Sequence, residues 1–272
     1  MRTVTIALLG VGADSTNSSP TPPAYSDNRF EYIPIPESRG PEGTTERCTF
    51  GNSKLRHQDA LMADYLDHIK PTEDNGEKFT GEQLAEWPLH YDPNFEALTY
   101  GESTSRGSYT QVIRSLSEDD VVAFYTGLRG DDMSYTHRYI IGYFTVGSII
   151  DFQKLRQDGG EVKFSDLPTD EQHNIIQQHS ENAHAKRFEA SGAIADNDGL
   201  VIVDGKEPGG LLDKAFRISQ HSGGGHHYLT DELQQKFSPE QGGNSERNAY
   251  LGGIKQAHKL DISLDRFREI VE

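Results

Sequence analysis

Two apolar runs set close together restrict this chain more than any of its other features. Val121-Val122-Ala123-Phe124-Tyr125-Thr126-Gly127-Leu128 and Tyr139-Ile140-Ile141-Gly142-Tyr143-Phe144-Thr145-Val146 are dominated by β-branched and aromatic residues, which pack well on a pleated surface. Ser117-Glu118-Asp119-Asp120 forms a turn before the first run, and a loop through Gly130 and Asp131 joins the two. The pair reads as antiparallel strands, so a sheet stands at the centre of the fold. Val4 to Val11 is also β-rich and fully apolar, as a buried strand is. Gly12-Ala13-Asp14-Ser15-Thr16 ends it.

The rest of the chain supplies helices and proline-punctuated loops. Phe30-Glu31-Tyr32-Ile33-Pro34-Ile35-Pro36 alternates at period two, and its prolines confine it to an edge or a strand end. The apolar spacing from Gln58 to Ile69 predicts a helix stopped by Pro71. Tyr109 to Ser115 reads as a short helix. Thr169 to Arg187 reads as one helix, with acids in its first turn and basic residues at its end. Leu200 to Val203 predicts a short strand, Leu211 to Ala215 a helical turn and Phe216 to Ser219 another strand. Thr230 to Phe237, Asn248 to His258 and Ser263 to Val271 read as helices. These elements predict an α+β fold with a mixed, barrel-like sheet and peripheral helices. The 272 residues form a single domain, with a helical extension from about residue 240.

Charge narrows the setting. Acidic residues number 43 against 26 basic ones, a net charge of −17, and they are spread along the chain. Distributed charge of this size repels itself in dilute buffer and is screened in strong salt, so the surface reads as that of a halophile protein. In about 1 M salt the Debye length falls to about 3 Å. The acidity therefore does not exclude nucleic acid as a partner; stacking and base-edge hydrogen bonds would carry recognition. The single cysteine, Cys48, excludes an intrachain disulfide and a cysteine-built zinc site. The N-terminal apolar run is short and followed by Gly and Asp, which reads as a strand and not a signal peptide. No stretch approaches the length of a membrane span. A cytoplasmic chain free of the membrane is expected.

Several polar segments could carry chemistry. Gly10-Val11-Gly12-Ala13-Asp14-Ser15-Thr16 follows a strand, and its amides could cradle phosphate. It lacks the lysine of a P-loop and the third glycine of a dinucleotide fingerprint. His90-Tyr91-Asp92-Pro93 sets an imidazole beside a carboxylate, a pair suited to acid–base work or to a cation, or simply a turn. Asn182-Ala183-His184-Ala185-Lys186-Arg187 could grip an anion or complement a helix C-terminus. His221, His226 and His227 flank a glycine turn that makes a poor zinc site. Tyr125 and Arg129 flank the end of the first hairpin strand, where a base could stack. The candidate catalytic residues are Asp14, Ser15, Asp92 and His184. The candidate nucleotide-binding residues are Tyr125, Arg129, Asn182, Arg187 and Ser219. The sequence assigns no metal-ligand set and no cofactor.

Taken in order, these segments resemble a known family. Leu8-Leu9-Gly10-Val11-Gly12-Ala13-Asp14-Ser15-Thr16, then Phe30 to Glu37, is similar to the opening of the nucleotide modification associated domain family, third type. Asp92-Pro93, the two hairpin runs, Asn182-Ala183-His184 and Leu211 to Ser219 continue the likeness over about residues 1 to 235. The hairpin also resembles, more loosely, the core of a PUA-like barrel. The resemblance implies a protein that acts on or recognises modified bases, with nucleic acid or nucleotide and other nucleic-acid-modification proteins as partners. Two alternatives stand beside base modification. One is a non-catalytic PUA-like reader, and the other a metal-dependent hydrolase using Asp14, Asp92 and nearby histidines.

The charge makes salt the first test. Circular dichroism from about 0.1 to 3 M KCl is expected to show cooperative folding only at the upper end. A fully folded chain at the lower end would remove the halophile reading.

Overall fold

The computed structural model describes residues 3–71, 78–103, 107–130, 135–157, 160–192, 199–221, 227–237, 250–251 and 258–272. Its centre is a seven-stranded mixed sheet. The strands are β1 (Thr3–Gly10), β2 (Pro23–Ala24), β3 (Thr99–Glu102), β4 (Val121–Gly130), β5 (Thr136–Asp151), β6 (Val201–Arg217) and β7 (His258–Ser263). They run in the order β7-β1-β4-β5-β6-β3, with β2 beside the end of β4. Pairing is parallel for β1 with β4 and β2 with β4, and antiparallel elsewhere.

The two apolar runs form β4 and β5, each longer than its apolar stretch. Every residue of β4 is buried except Arg129, as expected of a strand covered on both faces. A register shift between Phe124 and Tyr125 marks a bulge against β5. Such a bulge re-aims the side chains that follow it, and Tyr125 is the first of them. Phe124 is fully buried, and its ring meets those of Phe95 at 5.5 Å, Tyr100 at 5.1 Å and Phe144 at 5.0 Å. Tyr100 belongs to β3, which two strands separate from β4 in the hydrogen-bonded order. The sheet is therefore curled, bringing β3 across the face of β4. It does not close: the end strands β7 and β3 do not pair among the described residues. The mixed sheet with helices is found, while the barrel-like, PUA-like closure is not.

Long-range pairing overrides local pattern in three places. Leu211 to Ala215, expected as a helical turn, lies within β6, which pairs with β5 through three register shifts. One shift flanks Glu207 and Pro208, where proline is tolerated in a strand. Gln58 to Ile69 yields only α1 (Met62–Tyr65), because Leu66 turns extended and His68–Ile69 pairs with Ser18–Ser19. After α2 (Gly81–Glu86) and α3 (Gly107–Arg114), the single helix expected from Thr169 to Arg187 divides into α4 (Thr169–Gln178) and α5 (Ala183–Ser191). The break follows from Asn182, whose side chain accepts the His184 N–H and starts a new helix. In the C-terminal region, α6 (Asp231–Phe237) and α7 (Leu264–Val271) are helical. His258, placed in a helix by its pattern, begins β7, which pairs antiparallel with β1. The rest of that expected helix, apart from Tyr250 and Leu251, lies outside the described residues. No helix among the described residues is long and apolar enough to cross a membrane.

Phe124→Ala is expected to lower the unfolding free energy by about 3–5 kcal/mol, read from urea melts in strong salt. Tyr135→Ala, at the most exposed large apolar side chain among the described residues, is expected to change it by no more than about 0.5 kcal/mol.

Candidate functional site

A recess opens where the curled sheet brings β3 opposite β1 and β4. Its interior cavity is about 80 Å³. Gly10, Val11 and Gly12 line it from the end of β1, Tyr125 to Gly127 from β4, and Tyr100 to Glu102 from β3, with Ser103 just after it. Ties between loops shape the wall. The Ala13 N–H donates to the Ile33 carbonyl at 2.8 Å, and Ile35–Pro36 pairs with Leu89–His90. Two glycines let these pieces approach. Gly12 sits at φ +71°, and a Cβ there would lie 2.8 Å from the Tyr32 ring. A Cβ on Gly101 would lie 2.6 Å from the His184 ring.

One side of the recess carries a buried ion pair. Arg138, from β5, donates to Asp14 Oδ2 at 2.8 Å. The other Asp14 oxygen accepts from the Thr16 N–H at 2.7 Å and the Thr16 hydroxyl at 2.5 Å. Behind Arg138, Ser219 accepts its backbone N–H at 2.8 Å.

The opposite side is built on α5. Ala185 and Phe188 turn into a small core with Phe152, Phe164 and Ile176, and His184 and Arg187, three apart on a neighbouring face, turn to the recess. Arg187 donates to Glu37 Oε1 at 2.8 Å and to the Ser38 hydroxyl at 3.0 Å. The other Glu37 oxygen lies 3.1 Å from His90 Nδ1. The Arg187 guanidinium lies 3.3 Å from the same Nδ1, so that nitrogen faces both a carboxylate and a donor, while Nε2 faces Asp92. Asp92 accepts the Gly101 N–H on both oxygens, at 3.0 and 3.1 Å. Its Oδ2 lies 3.4 Å from His184 Nε2 and 3.9 Å from His90 Nε2. The two imidazoles stand nearly perpendicular, with centroids 5.1 Å apart.

Burial lowers the His90 pKa, and the Arg187 charge adds to the effect. Burial alone would raise the Glu37 carboxyl. The hydrogen bond from His90 and the positive charges beside it outweigh that and hold Glu37 well below the usual carboxylate range. Among the described residues, His90, Asp92 and His184 bring donor atoms within 4.8 Å of one another, close enough to share one ion. Asp14 is not in that group.

Of the residues picked from sequence, Asp14, Asp92, His184, Tyr125 and Arg187 line the recess. Ser15, Arg129, Asn182 and Ser219 do not. Ser15 is exposed, with its hydroxyl 3.3 Å from that of Thr136. Arg129 is exposed near the far end of β4. Asn182 caps α5 and donates to the Thr99 hydroxyl at 3.1 Å. Tyr125 is no open stacking platform, being only 3% exposed and part of the main core. His184 and Arg187 stand in the first turns of α5, not at a helix C-terminus. His221, His226 and most of the glycine turn lie outside the described side chains; His227 is buried, its ring 6.2 Å from that of His137. Sequence reading named His90 with Asp92 as an acid–base or cation pair, though not among the candidate catalytic residues, and did not select Glu37 or Arg138. The signal for His90 was its place beside Asp92, and for Arg138 a charge inside an apolar strand. Glu37 had no local signal.

A sequence model described as nucleotide modification associated domain 3 matches residues 5–253. No curated protein and no solved structure matches the chain.

Arg187→Met would leave Glu37 buried without the guanidinium that pairs its charge. It is expected to lower stability by about 3–5 kcal/mol in chemical denaturation. Arg266→Ala, which removes an exposed pair with Glu269, is expected to lower it by at most about 1 kcal/mol.

Proposed function

We propose that this chain, which belongs to the nucleotide modification associated domain 3 family, binds a single nucleotide or an extruded base in the recess and modifies it there. The observation that carries the reading is convergence. Two imidazoles and a carboxylate from two separate segments meet at one end of the recess. Groups capable of proton transfer, held in fixed orientation by Glu37 and the Gly101 N–H, suit chemistry on a base. A passive reader would be better served by an aromatic cage, and the aromatic rings here, Tyr100 and Tyr125, are packed into the core.

The size of the recess also argues about the substrate. A duplex does not fit, so the target base arrives as a free nucleotide, in a single strand, or turned out of the helix. The glycines of the β1 turn form the wall such a base would lie against. Arg138 and Arg187 are each tied to a carboxylate, so they orient a ligand more than they supply net positive charge.

The test compares cells carrying the wild-type chain with cells carrying Asp92→Asn, by mass spectrometry of their nucleosides. One modified nucleoside is expected with the wild type, its formation reduced at least about 100-fold in the variant. Identical nucleoside profiles, together with no binding of any nucleotide or single-stranded oligonucleotide by the purified protein, would refute the reading.

A further inference from the structure

We infer that His90, Asp92 and His184 form a mononuclear site for a divalent first-row transition-metal ion, with Glu37 as the carboxylate that orients His90. This deepens the base-modifying reading of the same recess and rests on it only for what the ion would be used for.

The donor set comes first. Two imidazoles and one carboxylate are a recurrent set for zinc and for iron, with further positions left open to water or substrate. Oxygen donors alone would suit magnesium or calcium better. The spacing fits as well. An ion bound at about 2.0–2.2 Å from each donor sets tetrahedral ligand atoms about 3.4 Å apart. The separations here are 3.4 Å from Asp92 to His184 and 3.9 Å from Asp92 to His90, so closing on an ion needs only small side-chain shifts.

The surroundings supply the second shell. A ligating histidine donates its other ring N–H to a carboxylate or carbonyl, which fixes the tautomer. Glu37 stands 3.1 Å from His90 Nδ1, on the side away from Asp92. Asp92 is held by the Gly101 N–H, and each carboxylate oxygen has a further lone pair to give. His184 is fixed by its place in the first turn of α5, which Asn182 caps.

Charge adds to the argument. A nucleotide would bring negative charge into the recess, and a divalent cation held by His90, Asp92 and His184 would offset it.

The experiment uses the full chain without a histidine tag, in strong salt, stripped by chelator and then titrated with Zn²⁺ and with Co²⁺. One ion per chain is expected by calorimetry, with visible d–d bands for Co²⁺. Asp92→Asn and His184→Gln are expected to weaken binding by about 100-fold or more, and Glu37→Gln by about 10–100-fold, with unchanged circular dichroism. His173→Ala, on exposed helix α4, leaves binding as it is. X-ray absorption of the wild-type Zn²⁺ complex needs no variant, and is expected to show two imidazoles and no sulfur. Failure of the wild type to take up one ion overturns the inference. So does wild-type affinity in folded Asp92→Asn and His184→Gln, or a zinc shell without imidazole. Nucleotide binding is measured separately on the stripped and loaded protein. Nucleotide binding without metal uptake would sink the metal site alone, and metal uptake without any nucleotide binding would sink the nucleotide reading alone.

Discussion

The packing of Phe124 against Phe95, Tyr100 and Phe144 is the contact on which the rest of the molecule depends. An open sheet with its natural twist would carry β3 away from β4. Burying these rings together pulls it back. The curl then sets Gly101 and the Asp92 segment opposite Asp14, although β5 and β6 separate β3 from β4 in the ladder. The recess is thus a product of core packing, and its polar groups occupy positions that the apolar contacts have already chosen.

Charged residues in the recess divide into two kinds. Asp14 with Arg138 and Glu37 with Arg187 are paired and buried. Such pairs add little net stability over apolar replacements, but losing one partner is costly, so they specify one arrangement of the loops that carry them. They are also shielded from solvent ions, which screen buried pairs far less than surface ones. A site held by buried pairs keeps its geometry in salt that would erase a site held by surface charge. His90, Asp92 and His184 stand between these fixed points, with Glu37 setting the ring of one and α5 the place of another.

How much of this the sequence reveals depends on range. The strands β1, β4 and β5 are legible because apolar and β-branched residues cluster within each. Asp14, Asp92 and His184 are legible as polar residues at turns and element ends. Glu37 and Arg138 are not, because their partners lie 150 and 124 residues away in the chain, and local spacing carries no trace of such a contact. The same limit explains the helices. Gln58 to Ile69 has helical spacing, yet Ile69 pairs with Ser18 and Phe79. Thr169 to Arg187 has the charge gradient of one helix, yet Asn182 competes as a cap. For Tyr125, a period-two pattern ignores the bulge at Phe124, and with it the turn of that ring into the wall.

The pairing of β7 with β1, from Thr3 opposite Ser263 to Leu8 opposite His258, bears on how the protein comes to exist in a cell. β7 lies beyond the span matched by the family model, yet it covers one edge of the strand that ends in the Gly10–Gly12 turn. While the ribosome is still short of Ser263, β1 can find β4 but has nothing on its other side. An uncovered apolar edge recruits strands from neighbouring chains. The edge of β1 is closed to such pairing once β7 is in place.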